Sequence, residues 1–112
     1  NVKEILGTSD VTLCNLETPL TTNLEPVSTK KPYLHWSDPV NTTKFLSKYN
    51  IKNICLGNNH VIDQGISGFN ETISSLQKAG MNYFGAGKNS DEAIKPLIID
   101  ENGVKLIVSI LR

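Results

Sequence analysis

The stretch Leu56-Gly57-Asn58-Asn59-His60-Val61-Ile62-Asp63-Gln64-Gly65 puts two amides, an imidazole and a carboxylate into one polar turn directly after an apolar run. Amide oxygens and carboxylates are hard ligands for divalent cations, and imidazole suits transition metals or proton transfer. The same composition also suits an Asn-rich turn whose amides bond the backbone and whose His60 caps the next helix. The turn by itself leaves both readings open. A second group, Asn15-Leu16-Glu17, follows another apolar run and brings a carboxylate to its end. Glu17 alone could be a solvated loop acid. If the two runs are neighbouring strands, the groups have the layout of a shared metal site.

The elements needed to position them are visible in the apolar pattern. Val11-Thr12-Leu13-Cys14 reads as a strand that must stop before Pro19, which cannot donate to a ladder. Residues 18 to 39 hold four of the five prolines and form a long irregular loop, a kind of segment that is usually functional in compact domains. Asp38-Pro39 is a helix start, and Val40, Phe45, Leu46 and Tyr49 repeat at near-helical spacing up to Asn50. Residues 53 to 57 read as a buried strand. Phe69, Ile73, Leu76 and Ala79 then make one helical stripe that Gly80 ends. Residues 82 to 84 are a strand, 90 to 93 one capped helical turn, and 96 to 100 with 104 to 111 a hairpin around Asn102-Gly103. This order predicts an α/β domain, mostly parallel and flanked by helices, with the C-terminal hairpin as an antiparallel edge. Ligands in such sheets sit at the carboxyl ends of the strands, where both polar groups fall.

Composition bounds the function classes. At 112 residues the chain is one domain at most. Eleven basic and eleven acidic residues cancel, which speaks against a nucleic-acid binder or a polybasic membrane-surface protein. A hydrophobic content of 38% excludes a disordered tail, and no apolar run reaches membrane-spanning length. Cys14 and Cys55 sit in apolar runs and read as small buried hydrophobes, although pairing is conceivable. Gly85-Ala86-Gly87-Lys88 lacks the spacing of a phosphate loop and the third glycine of a dinucleotide fingerprint, and reads as a tight turn. Tyr33-Leu34-His35-Trp36 reads either as a substrate-contacting aromatic patch or as a cluster pinning the loop to the core.

Asn-Leu-Glu after one strand, then Gly-Asn-Asn-His-x-x-Asp-x-Gly after the next, resembles the capsule-synthesis CapA family. The likeness continues through Ala79 to Asn89 and Ala93 to Ile98 and so covers nearly the whole chain from Asp10 onward. It implies a role in poly-γ-glutamate capsule biosynthesis and a fold like the calcineurin-like metallophosphoesterases, an α/β/β/α sandwich. By the same resemblance Glu17 and Asn59 would be ligands to one or more divalent metal ions of unspecified identity. His60 would be catalytic, as proton donor or charge partner, and Asp63 would orient it. Asn15 and Asn58 are further candidate substrate contacts, with Asn58 departing from the plain Gly-Asn-His phosphoesterase pattern, and His35 and Trp36 are candidates from the loop patch rather than from the family motif.

The family pattern also begins with an acidic motif and ends with histidines that residues 1–112 do not contain, so the chain reads as a partial domain, the N-terminal half of a larger one. The implied partner is a polyanionic capsule polymer or its precursor, and not a nucleic acid. The implied location is extracytoplasmic, at the cell surface, with any membrane anchor outside these residues. The open sheet edge could support an oligomer. The competing class is a non-catalytic polymer-binding or assembly subunit that keeps the fold and a vestigial metal site.

Overall fold

In the computed structural model, residues 1–24 and 34–111 are described; the middle of the long loop, Tyr33 included, lies outside them. The elements are α1 (Val2–Thr8), β1 (Leu13–Asn15), α2 (Pro39–Lys48), β2 (Asn53–Cys55), α3 (Gly65–Lys78), β3 (Asn82–Phe84), α4 (Ser90–Ala93), β4 (Leu97–Glu101) and β5 (Val104–Val108). Strands β1, β2 and β3 form a parallel sheet in that order. Its register aligns Leu13, Asn53 and Asn82, then Cys14, Ile54 and Tyr83, then Asn15, Cys55 and Phe84.

Because successive residues of a strand face opposite ways, the middle row points to one face and the outer two rows to the other. Ile54 packs there with Leu46 of α2 and Leu76 of α3, joined by Leu16, Leu20, Leu56 and Met81 in one buried cluster, with Cys14 and Tyr83 against it. Both crossover helices therefore cover the same face. The register also sends Cys14 and Cys55 to opposite faces, and both are free thiols. Cys55 is buried and Cys14 half-buried, as expected of small hydrophobes. Burial pushes the Cys14 thiol above its ordinary range, and the neighbouring Cys55 adds to this.

Several boundaries differ from the sequence expectation for identifiable reasons. Helix α2 stops at Lys48 because Asn50 takes a left-handed conformation, φ 59°. Thr12 is outside β1: its hydroxyl donates to the Asn50 carbonyl and accepts from the Lys52 N–H at 3.2 Å. Helix α1 had no apolar stripe to announce it. It buries nothing and is held by its caps, Asn1 accepting from Glu4 N–H at 3.2 Å and Asn50 donating to the Leu6 carbonyl at 2.8 Å.

The hairpin forms as expected, with Glu101 opposite Val104 and both Asn102 (φ 50°) and Gly103 (φ 77°) in the positive-φ turn that twists with the strands. It is a separate two-stranded sheet, however, and not an antiparallel edge of the parallel one. The parallel ladder ends in close backbone approach: a Cβ on Gly85 (φ 87°) would lie 2.8 Å from the Gly57 nitrogen. Ile110 seals this junction, and a Cβ on Gly57 would meet its Cγ1 at 2.8 Å.

Candidate functional site

The two polar groups singled out in the sequence meet at the carboxyl ends of β1 and β2. The ladder continues one step beyond the strands, Leu16 N–H donating to the Cys55 carbonyl at 3.0 Å, which keeps the two exits side by side. Asn15 Nδ2 donates to Glu17 Oε1 at 2.7 Å. Asn58 Nδ2 donates to Asn15 Oδ1 at 3.1 Å and to the Leu16 carbonyl at 2.9 Å. Asn58 Oδ1 in turn accepts from the His60 main-chain N–H at 3.1 Å. One chain of side-chain bonds thus runs from the Glu17 carboxylate to the His60 backbone.

The 60–65 turn adds the imidazole and its partner. Asp63 N–H donates to the His60 carbonyl at 3.1 Å, folding the turn back so that the two side chains meet. His60 Nδ1–H donates to Asp63 Oδ2 at 2.7 Å, since a carboxylate can only accept. The His60 side chain is 16% exposed and the Asp63 side chain 0%. A bond of this kind commits Nδ1 and makes Nε2 the ring nitrogen available for chemistry. The helix-capping alternative for His60 does not hold, because the N-cap of α3 is Gln64 and no side chain caps it.

The long loop returns to the same place. A parallel bridge between Leu20 and Ser37 closes its base. His35 main-chain N–H donates to Asp63 Oδ2 at 2.9 Å, and Gln64 Nε2 donates to the His35 carbonyl at 3.2 Å. The His35 ring meets the His60 ring edge-to-face with centroids 4.1 Å apart. Trp36 is 50% exposed. Gln64 sat inside the polar turn as an unassigned position, and a side chain that bonds only another residue's main chain leaves no pattern to read.

As a metal centre the residues are a partial donor set. Among the described residues no three His, Cys, Asp or Glu side chains come together to hold a metal ion. The Asn15 amide oxygen accepts from Asn58, and Glu17 and Asn59, the two residues expected to bind metal, are both exposed. An open groove of about 1100 Å³ starts at Gly57 and Asn58 and runs between α3 and residues 83–97, with Lys88, Glu92 and Lys95 on its wall. Among the described residues no helix is long and apolar enough to cross a membrane.

Comparison with known proteins adds a family. The family described as bacterial capsule synthesis protein PGA_cap matches residues 1–111. A capsule biosynthesis protein CapA of Bacillus anthracis is 29% identical over 112 residues, which is 95% of this chain and 26% of that protein. A probable polyglutamine synthesis accessory protein of Mycobacterium tuberculosis is 35% identical over 80 residues, 70% of this chain and 20% of its own length. A PGA biosynthesis protein CapA of Bacillus subtilis is 27% identical, covering 94% of this chain and 28% of that protein. The chain therefore spans about a quarter of the length of these curated relatives.

Proposed function

This chain belongs to the bacterial capsule synthesis protein family, and from that membership we propose that it contributes a metal-dependent hydrolase or transferase site to poly-γ-glutamate capsule biosynthesis. The observation that carries the reading is the bonded series Glu17–Asn15–Asn58–His60–Asp63 at the carboxyl ends of two adjacent parallel strands. The overall architecture we propose is the α/β/β/α sandwich of the metallophosphoesterase-like proteins, of which the parallel sheet and its two helices would be one half. Residues 1–112 would then be a partial domain.

In this reading Glu17 and Asn59 hold a divalent metal ion together with ligands from elsewhere in the domain. Such an ion, when bound, acts as a Lewis acid and makes a bound water acidic enough to attack at neutral pH. The residues of this chain do the rest. Asn15 holds the Glu17 carboxylate in place at 2.7 Å. Asp63 keeps the proton on His60 Nδ1, so that Nε2 faces the reacting group as a proton carrier or charge partner. Asn58, His35 and Trp36 border the place where substrate would lie. The partner is a polyanionic capsule polymer or its precursor; an open groove, with Lys88, Lys95 and Glu92 on its wall, suits a long chain better than a small enclosed ligand. We place its action outside the cytoplasm, at the cell surface, on the family resemblance.

The test is a thermal and calorimetric titration of the protein with Mn²⁺, Zn²⁺ and Mg²⁺, beside Glu17→Gln and Asn59→Ala. At a hundredfold excess over Kd, a metal that binds only the native state should stabilise by about 2.7 kcal/mol. Loss of that shift in both variants supports the site. A shift that survives both, or no shift with any of the three ions in the whole protein with its remaining ligands, refutes it.

A further inference from the structure

Gln64 is 3% exposed, and its amide is only half used: Nε2–H bonds the His35 carbonyl at 3.2 Å, while Oε1 is buried with no hydrogen-bond partner among the described residues. A buried acceptor without a donor is a cost to the fold. An apolar side chain of equal length would pack without that cost, so what the amide adds is its N–H on His35. Its neighbour Asp63 takes the other side of the same residue, accepting the His35 N–H at 2.9 Å on Oδ2. That oxygen is also the one that accepts His60 Nδ1–H at 2.7 Å. One carboxylate oxygen thus joins the returning loop to the imidazole, and Gln64 secures the loop on the far side of the peptide.

We infer that Gln64 is a positioning residue that clamps the main chain of His35 against Asp63 and thereby holds the His60 imidazole in its Nδ1–H form and orientation. The clamp also seats the His35 ring edge-to-face on His60 at 4.1 Å, so that rotation of His60 requires the loop to move. With Asn58 Oδ1 holding the His60 backbone N–H at 3.1 Å, the imidazole is fixed from its main chain, from Nδ1 and from its ring. Without Gln64, the His35 peptide has one anchor left and the Asp63 oxygen loses a fixed donor. The bond that holds His60 Nδ1–H on that oxygen then sits in a looser frame, and His60 can exchange tautomers.

The inference rests on the proposed function only for the task it gives His60; its test reads the imidazole itself and needs neither metal nor substrate. Long-range ¹H–¹⁵N spectra of the whole protein at alkaline pH report which ring nitrogen carries the proton, with His60→Gln assigning the signal. The wild type should show His60 protonated on Nδ1. In Gln64→Met the His35 amide should exchange about tenfold faster, the loss of roughly one hydrogen bond's protection, and His60 should become a mixture of tautomers. His35→Ala keeps both main-chain bonds and should leave His60 protonated on Nδ1. If Gln64→Met loses its dispersed β2 amides, Gln64→Leu, which also removes the donor, is read by the same criteria. Unchanged His60 signals in the folded Gln64 variant overturn the inference, as does a tautomer change of equal size in His35→Ala. A tautomer change without any metal shift would leave the clamp standing and refute the metal site alone.

Discussion

Asparagines network at both ends of the same three strands, and the two ends use them differently. At the amino end, Asn53 Nδ2 donates to the Thr12 carbonyl at 2.8 Å and Asn82 Nδ2 to Asn53 Oδ1 at 3.0 Å, while Asn50 reaches back to Leu6. These bonds finish on main-chain carbonyls and stay within the fold. At the carboxyl end the series from Asn15 and Asn58 finishes on the Glu17 carboxylate and the His60 main chain, with His60 bound onward to Asp63. An amide that ends on main chain completes a structure that would otherwise bury unpaired groups. An amide that ends on an ionisable residue aims it. Residue type is the same at both ends; what the network terminates in sets its role.

The largest effect expected from this contrast is kinetic. If the proposed hydrolase or transferase site is present, His60→Ala should lower its activity by 10²–10⁴-fold, about the contribution of a positioned proton carrier, and should also cost some stability because the buried Asp63 carboxylate loses a donor. Asn53→Leu should do the reverse. It strands the buried Thr12 carbonyl and the Asn82 amide and should cost about 2–4 kcal/mol in denaturant unfolding, with metal titration unchanged. A smaller, mixed effect is expected of Asn58→Ala. Loss of its bonds to Leu16 and Asn15 should cost about 1–2 kcal/mol and should also disturb the His60 signals. If Asn58→Ala cost stability alone, the distinction between the two ends would fail.

The smallest effect is a pH dependence at Cys14, midway along β1. Its thiol is raised above 9.0 by burial, with Cys55 adding, so the native state resists forming the thiolate. Below the unfolded-state value both states hold the proton and nothing changes. As pH climbs past about 9, the unfolded chain ionises first and stability declines. Unfolding curves at pH 7 and pH 10 for wild type and Cys14→Ala should show the wild type losing more between the two.

Much of this arrangement was readable because it is carried by side-chain types at fixed spacing. Asn102-Gly103 demanded two positive φ angles and took them. Phe69, Ile73 and Leu76 marked α3 by their period. Asp63, three residues after His60, was placed by the turn within hydrogen-bond reach. What escaped is carried by main chain. The His35 peptide contributes its N–H and C=O, which every residue has, so nothing in its identity pointed to Asp63 and Gln64. Helix α1 escaped because its stability comes from caps and its Val2 and Ile5 stay exposed; the Asn1 and Glu4 pair, a capping-box signature, was the available signal. The detachment of the hairpin from the parallel sheet depends on where its strands find partners, which composition does not encode.

Every bond of the carboxyl-end network, including the loop's return at His35, joins residues between 15 and 64. Strand β3, the fourth helix and the hairpin supply none of them. Since chains are made from the amino terminus and tend to fold as they emerge, a ribosome that has released α3 has already released every partner this network uses. The Gly57–Gly85 junction under Ile110 packs the later residues onto the base of this network. A substitution in the hairpin would accordingly remove none of the hydrogen bonds described above for Glu17, His60 and Asp63.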